Sequence, residues 1–311
     1  MTDSPSRLRV KRRHEAFLVI VSVVLLTIAA CSGDDGTNPG PGMPVSAQGT
    51  FLDAVVTGLS YVSGSASGMT DALGMFVFER GSTVTLRIGD IVFGQGAGKF
   101  IMTPVDLVPG AVDESNSHVT NRVRFLLTLD DDGIAANGIQ ITQTVRDAAA
   151  GRSINFDQTQ NDFASDSNVQ QVVAALTVGT AAGQRPLVSA VAAQVHLQLT
   201  LLGVFAGSYG GDYYADDPAA GKNRGAKLGE WFFMIDTSGS LSGALLPLGG
   251  GQVNLSGTAF SSGVFDAAAA GGLFFTGQAT VDSSEDIIRV GNGLWFDNGE
   301  PAGTFIGEKQ N

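Results

Sequence analysis

Cysteine occurs once in 311 residues, at Cys31. A lone thiol excludes an internal disulfide framework. Histidine is nearly as scarce, with three in the chain, and no His/Cys cluster has the spacing of a zinc site. Basic residues are few, 18 Lys and Arg against 30 Asp and Glu, for a formal net charge of −12. That balance argues against nucleic acid and against adhesion to anionic lipid through a basic face. No G-x-S-x-G elbow is present. "GQGAGK" (94–99) lacks the P-loop spacing and has Phe100 where Ser or Thr is needed, so it reads as a β-turn. His196 sits inside an apolar helical pattern and reads as a packed residue rather than a base. With no catalytic constellation, the chain reads as a non-enzyme.

What is present begins at the N-terminus. Arg7, Arg9, Lys11, Arg12 and Arg13 precede an uncharged apolar run, Phe17 to Ala30. A basic region followed by an apolar run too short to span a bilayer comfortably is the layout of a signal peptide. Glu15 and Ala16 follow Arg12-Arg13, which favours the general secretory route over twin-arginine export. The run ends in Ile28-Ala29-Ala30-Cys31, which resembles the bacterial lipobox. The resemblance implies acylation of Cys31, an anchor in the lipid bilayer, and, with Ser32 next, transfer to the outer membrane. Which face of that membrane the body occupies stays open. Residues 31–47, rich in Gly, Pro, Ser and Asp, read as a flexible tether after a signal peptide of 1–30. Losing residues 1–30 removes five of the 18 basic and two of the 30 acidic residues and leaves a formal −15.

Only 15% of residues are charged, and glycine numbers 42. With ample Val, Ile and Phe, this points to β structure with many turns. Phe76 and Phe78 alternate with Met75 and Val77, and Val84, Leu86 and Ile88 with Thr85, Arg87 and Gly89, as in half-buried strands. Asp71 and Gly74 suit a hairpin turn. "FLDAVVTGLSYVSG", "TDALGMFVF", "VTLRIGDIVFG" and "TPVDLV" together resemble the small β-sandwich modules of bacterial surface proteins. "NRVRFLLTLDDDGIAANGI" resembles the segment that often follows such modules. Helical periodicity appears over Val119–Leu129, Val169–Val178 and Leu187–Leu202, with Pro186 placed to open the last.

From Gly203 onward eight short strand candidates alternate with Gly-rich turns, with no helix or long crossover. Sequential strands with short turns favour an antiparallel meander, and eight can close into a barrel. An open sandwich is the alternative. Ser242-Gly243, Ser256-Gly257 and Thr276-Gly277 suit tight bends within strands. The turn and aromatic pattern resembles the small C-terminal barrels of transferrin-binding-protein-like surface lipoproteins. The expected fold is therefore mainly β with a helical segment: sandwich 48–112, helical segment 113–202, antiparallel barrel 203–311.

Two polar clusters are candidate sites. Asp130, Asp131 and Asp132 precede Gly133, and Asn137-Gly138 follows. Hard oxygen ligands on a Gly turn suit calcium, with Asp130, Asp132 and Asn137 as ligands. The EF-hand pattern is incomplete, and a plain turn after a helix is the competing reading. Tyr213 and Tyr214 fall in a long insertion, Gly210–Trp231, with the mixed charge of a recognition loop. The function read from all this is a membrane-anchored envelope lipoprotein that presents a binding or adhesion body to an unknown protein or small-molecule ligand. The alternative is a carrier holding an apolar molecule in the barrel, lined by Trp231, Phe233, Phe274, Trp295 and Phe305.

Overall fold

The computed structural model describes residues 45–216 and 224–310, with backbone only at Asn292. Strands β1 (Ser46–Phe51), β2 (Val56–Thr57), β3 (Ser60–Ser63), β4 (Ala66–Met69), β5 (Met75–Glu79), β6 (Thr83–Ile88), β7 (Ile91–Ala97) and β8 (Ile101–Met102) open the fold. They form a three-stranded sheet, β5-β1-β8, and a four-stranded sheet, β4-β3-β6-β7. Every second residue of β5 and β6 is buried, which is why the alternation was visible in the sequence. Phe51 meets Phe93, and Tyr61 meets Phe76, with ring centroids 6.2 and 6.0 Å apart. These pairs join the two sheets. The Asp71–Gly74 segment is a turn, held by Asp71 Oδ1 accepting from the Leu73 and Met75 amides. It is not a hairpin, because β4 and β5 belong to different sheets.

"GQGAGK" is not a β-turn: Gly94 to Ala97 are the end of β7. The glycines there admit close neighbours. A Cβ on Gly94 would sit 2.8 Å from that of Leu107, and one on Gly96 would strike the Asp106 carbonyl.

Helices α1 (Ser117–Leu129), α2 (Gln143–Ala148), α3 (Gln160–Ser165), α4 (Ser167–Thr177) and α5 (Ala190–Phe205) follow, and a short strand β9 (Ile139–Gln140) pairs with β2. Asn116, Asp166 and Ser189 cap α1, α4 and α5 by accepting from first-turn amides. Ser189, not Pro186, opens α5; Leu187 and Val188 lie outside the helix, and the Val188 amide donates to Thr128 Oγ1 at 2.9 Å. Helix α1 is buried from Val119 to Leu129. Its two arginines are tolerated there because Arg122 donates to the Phe93 carbonyl at 3.0 Å and Arg124 to that of Val188 at 2.8 Å. Sandwich and helices share one apolar core, which runs from Phe51 to Leu201.

Helix α5 leads into β10 (Gly207–Ala215). Then come β11 (Lys227–Ile235), β12 (Ser240–Pro247), β13 (Val253–Ala259), β14 (Val264–Ala269), β15 (Leu273–Val281), β16 (Ile288–Asp297) and β17 (Glu300–Lys309). All eight pair antiparallel with their sequence neighbours, and β17 returns to β10, so the barrel is closed. Closure leaves no open strand edge. The interior is filled by aromatic rings: Trp231 stacks on Phe233 at 4.7 Å, Phe233 meets Phe265 at 4.9 Å, and Phe305 meets Trp231 and Phe275 at 5.5 and 5.7 Å. Trp295 is only half-buried, and Phe274 is exposed on the outer wall, so it lines no interior.

Candidate functional site

Strand β11 is apolar on both faces. Trp231, Phe233 and Ile235 point inward, as a strand of a packed barrel requires. Phe232 and Met234 point the other way and are 44% and 54% exposed. Single exposed apolar residues are ordinary, but these two border a groove of about 500 Å³ on the barrel wall. Pairing register explains its shape. Phe232 lies opposite Gly210 on one side and Ala244 on the other. Neither raises more than a methyl beside the ring. Met234 lies opposite Ser208 and Ser242. Gln310 and Gln252 complete the rim. The Gln310 main chain is fixed by its amide donating to the Ser208 carbonyl at 2.8 Å. The Gln252 side chain donates to Asn254 Oδ1 at 3.0 Å. No charged side chain lines the groove. Its volume lies within the range of small-molecule sites.

Tyr213 and Tyr214 are not on a loop. They belong to β10, and residues 217–223 of the same insertion lie outside the described residues. Tyr213 points into the barrel, edge-on to Trp295 at 6.0 Å, and burial raises its pKa above the ordinary value. Tyr214 faces outward, half-buried under the Arg224 guanidinium, 4.9 Å from its ring. Its hydroxyl donates to Asp212 at 3.1 Å. Lys227, 2.7 Å away, bonds Asp212 and holds its carboxyl below the usual range. Neither tyrosine lines the groove.

The acidic run forms a turn closed on itself. Asp130 Oδ1 accepts from the Gln140 amide at 2.9 Å, and Asp131 Oδ1 from Ala181 at 3.0 Å. Asp132 accepts from the Ile134 amide and the Asn137 side chain, both at 2.8 Å. Asp130 and Asp132 are brought together, and Asn137 joins them as a donor rather than an oxygen ligand. Asp131 is turned away by its bond to Ala181. Burial, helped by Asp132, raises the Asp130 pKa, and the Asn137 bond lowers that of Asp132. Among the described residues no group of three His, Cys, Asp or Glu is placed to hold a metal ion. The expected result is therefore that millimolar calcium leaves the melting temperature where EDTA leaves it. A clear rise with calcium would mean that Asn137 turns its oxygen inward and the run opens into a cation loop.

His196 has a partner that the helical pattern did not announce. Its Nε2 is 3.2 Å from Oδ1 of Asp53, whose side chain is wholly buried. The Ala54 amide donates to Thr200 Oγ1, one helical turn from His196, at 3.2 Å. Two contacts thus pin the β1–β2 corner to α5. No nucleophile accompanies the pair among its described contacts. Cys31 lies outside the described residues.

No protein-family model matches the chain, and no curated protein matches its sequence. The groove therefore rests on its own geometry. Sequence reading passed over it, although a signal exists. "EWFFMI" carries large apolar residues at consecutive positions, where a strand with one wet face would alternate.

Proposed function

We propose that this is a lipid-anchored protein of the bacterial cell envelope, non-enzymatic, that displays a rigid binding body on a tether. The observation that carries the reading is Ile28-Ala29-Ala30-Cys31 at the end of a basic-then-apolar leader. A diacylglyceryl group on the Cys31 sulfur and a third acyl chain on its amino group would supply the anchor, since more than one acyl chain is needed for stable attachment. An architecture of two small sheets, packed helices and a closed eight-stranded barrel supports a display role. The resemblance to transferrin-binding-protein-like surface lipoproteins rests on the turn and aromatic pattern of the barrel segment alone, and no ligand carries over from it. The ring-filled interior favours a solid body over a carrier of apolar molecules. The barrel-wall groove is its binding surface.

Metabolic labelling with radioactive palmitate tests the anchor. The wild type takes up label and sediments with membranes. Cys31→Ala takes up none, because the Cys31 sulfur is the atom that takes the diacylglyceryl group whose acyl chains carry the label. An unlabelled wild type would overturn the reading. Protease treatment of intact cells then places the body. Loss of a C-terminal tag puts it outside the cell, and protection until lysis puts it in the periplasm.

A further inference from the structure

Gly210 is a glycine that the fold does not ask for. It lies within β10, and its backbone does not adopt the positive φ that favours glycine. A Cβ built there would meet nothing closer than the Trp231 carbonyl at 3.6 Å, an ordinary contact. Its neighbour Gly211 is different, since a Cβ there would collide with the main chain of β17. Glycine inside a strand weakens it, and where packing does not explain it, close approach of a ligand is a usual reason. At Gly210 the space left open lies beside Phe232, its partner across the strand pair, and both line the groove.

The lining says what kind of ligand fits. No charge lines the groove, so a charged ligand would find no counter-ion there. The polar groups are two amides and two hydroxyls, from Gln252, Gln310, Ser208 and Ser242. All can both donate and accept hydrogen bonds. The apolar element is a ring standing clear over a glycine. A pyranose offers the complement: an apolar face of C–H bonds for the ring and a rim of hydroxyls for amides and hydroxyls. An extended peptide would want unpaired strand groups for its backbone, and the closed barrel offers none. A purely apolar molecule would want enclosure, and the groove is open along a polar rim.

We infer that the barrel-wall groove binds a neutral carbohydrate, stacked on Phe232 in the space that Gly210 leaves. This rests on reading the barrel wall as the binding surface of the displayed body. The test is calorimetric titration of the full chain in detergent with neutral hexasaccharides: cellohexaose, maltohexaose, mannohexaose and chitohexaose. Polygalacturonate and a proline-rich peptide serve as charged and protein-like comparisons. At least one neutral sugar binds. Phe232→Ala and Gly210→Thr each weaken it by at least about tenfold, the first by removing the platform and the second by filling the space. Gly210→Thr keeps or raises the melting temperature, because a β-branched residue suits a strand with room for it. No binding across the neutral panel overturns the inference. So does sugar binding indifferent to both variants, or binding of only the peptide or the charged polymer. Palmitate labelling of Cys31 is independent of these titrations. A labelled protein that binds no sugar loses the carbohydrate assignment and keeps the display reading, whereas an unlabelled protein loses the display reading first.

Discussion

Gly293→Val collapses the barrel, with a loss of about 3 kcal/mol or more, at the upper end of what overpacking costs. Phe305 is the reason. It is 1% exposed and stands among Trp231, Phe265 and Phe275, with centroids 5.5, 6.0 and 5.7 Å away. A Cβ on Gly293 would lie 2.5 Å from the edge of that ring, and one on Gly277 2.9 Å from its tip. Each glycine lies at a break in the strand register, where a bulge bends the strand. The ring cannot retreat, because the other side of the lumen is occupied by rings already in contact. Interiors this full answer an added methyl group with off-rotamer side chains and backbone shifts, both costly. The measurement is urea unfolding followed by tryptophan fluorescence. Both tryptophans, Trp231 and Trp295, are in the barrel, so the signal reports this unit and not the sandwich. Phe305→Leu introduced beside Gly293→Val restores part of the loss, because a smaller side chain vacates the contact. Additive effects of the two changes would show that they act independently and would sink the explanation.

That glycine–aromatic interlock also shows what the sequence could and could not disclose. The eight barrel strands were legible because each is a short stretch bounded by Gly-rich turns, with no helical period between them. Helices α1 and α4 were legible for a similar reason, with several apolar positions at helical spacing. Six-residue helices α2 and α3 have too few turns to show a period. The in-strand glycines could be placed but not explained. Gly277 does mark a bend, but Gly243 and Gly257 are small because the backbone of the neighbouring strand passes close by. Tyr213 reads as an exposed loop residue in the sequence because the composition around it is polar. Its neighbours in space, Trp295 and Gly229, lie on other strands, and no local pattern reports them. Asp53 and His196 are the extreme case. Each looked ordinary in its own segment, and only the packing of α5 on the β1–β2 corner makes them a pair.

That pair makes stability depend on pH. Neither carboxylate oxygen of Asp53 completes a well-aligned hydrogen bond, and the His196 imidazole Nε2 lies 3.2 Å from Oδ1. Burial raises the Asp53 pKa above its ordinary 3.8, and the imidazole offsets this only in part. For His196, burial disfavours the charged ring, but the Asp53 carboxylate outweighs burial, with a smaller contribution from Asp130, so its pKa lies above the ordinary 6.5. Both groups hold protons more tightly in the folded chain than in the unfolded one. Their stabilisation is therefore complete below the unfolded values and is lost as pH rises through the folded ones. For His196 the window opens at its ordinary value of 6.5 and runs upward. The urea midpoint of the sandwich and helices, read by far-UV circular dichroism, falls as pH rises from about 6 toward 9. His196→Gln flattens this slope, since glutamine keeps a donor near Asp53 but does not titrate. Asp53→Ala costs about 3 kcal/mol at pH 6, because it strips a partly buried imidazolium of its counter-charge and leaves a cavity where the wholly buried carboxylate stood. Asp53→Asn costs less, since its amide can still pair with a neutral ring. Asp130→Asn separates the nearby carboxyl from the pair and should leave most of the slope. A slope that survived His196→Gln unchanged would assign the pH dependence to other groups. A midpoint untouched by Asp53→Ala would mean that the Ala54–Thr200 contact alone holds the corner to the helix that leads into the barrel.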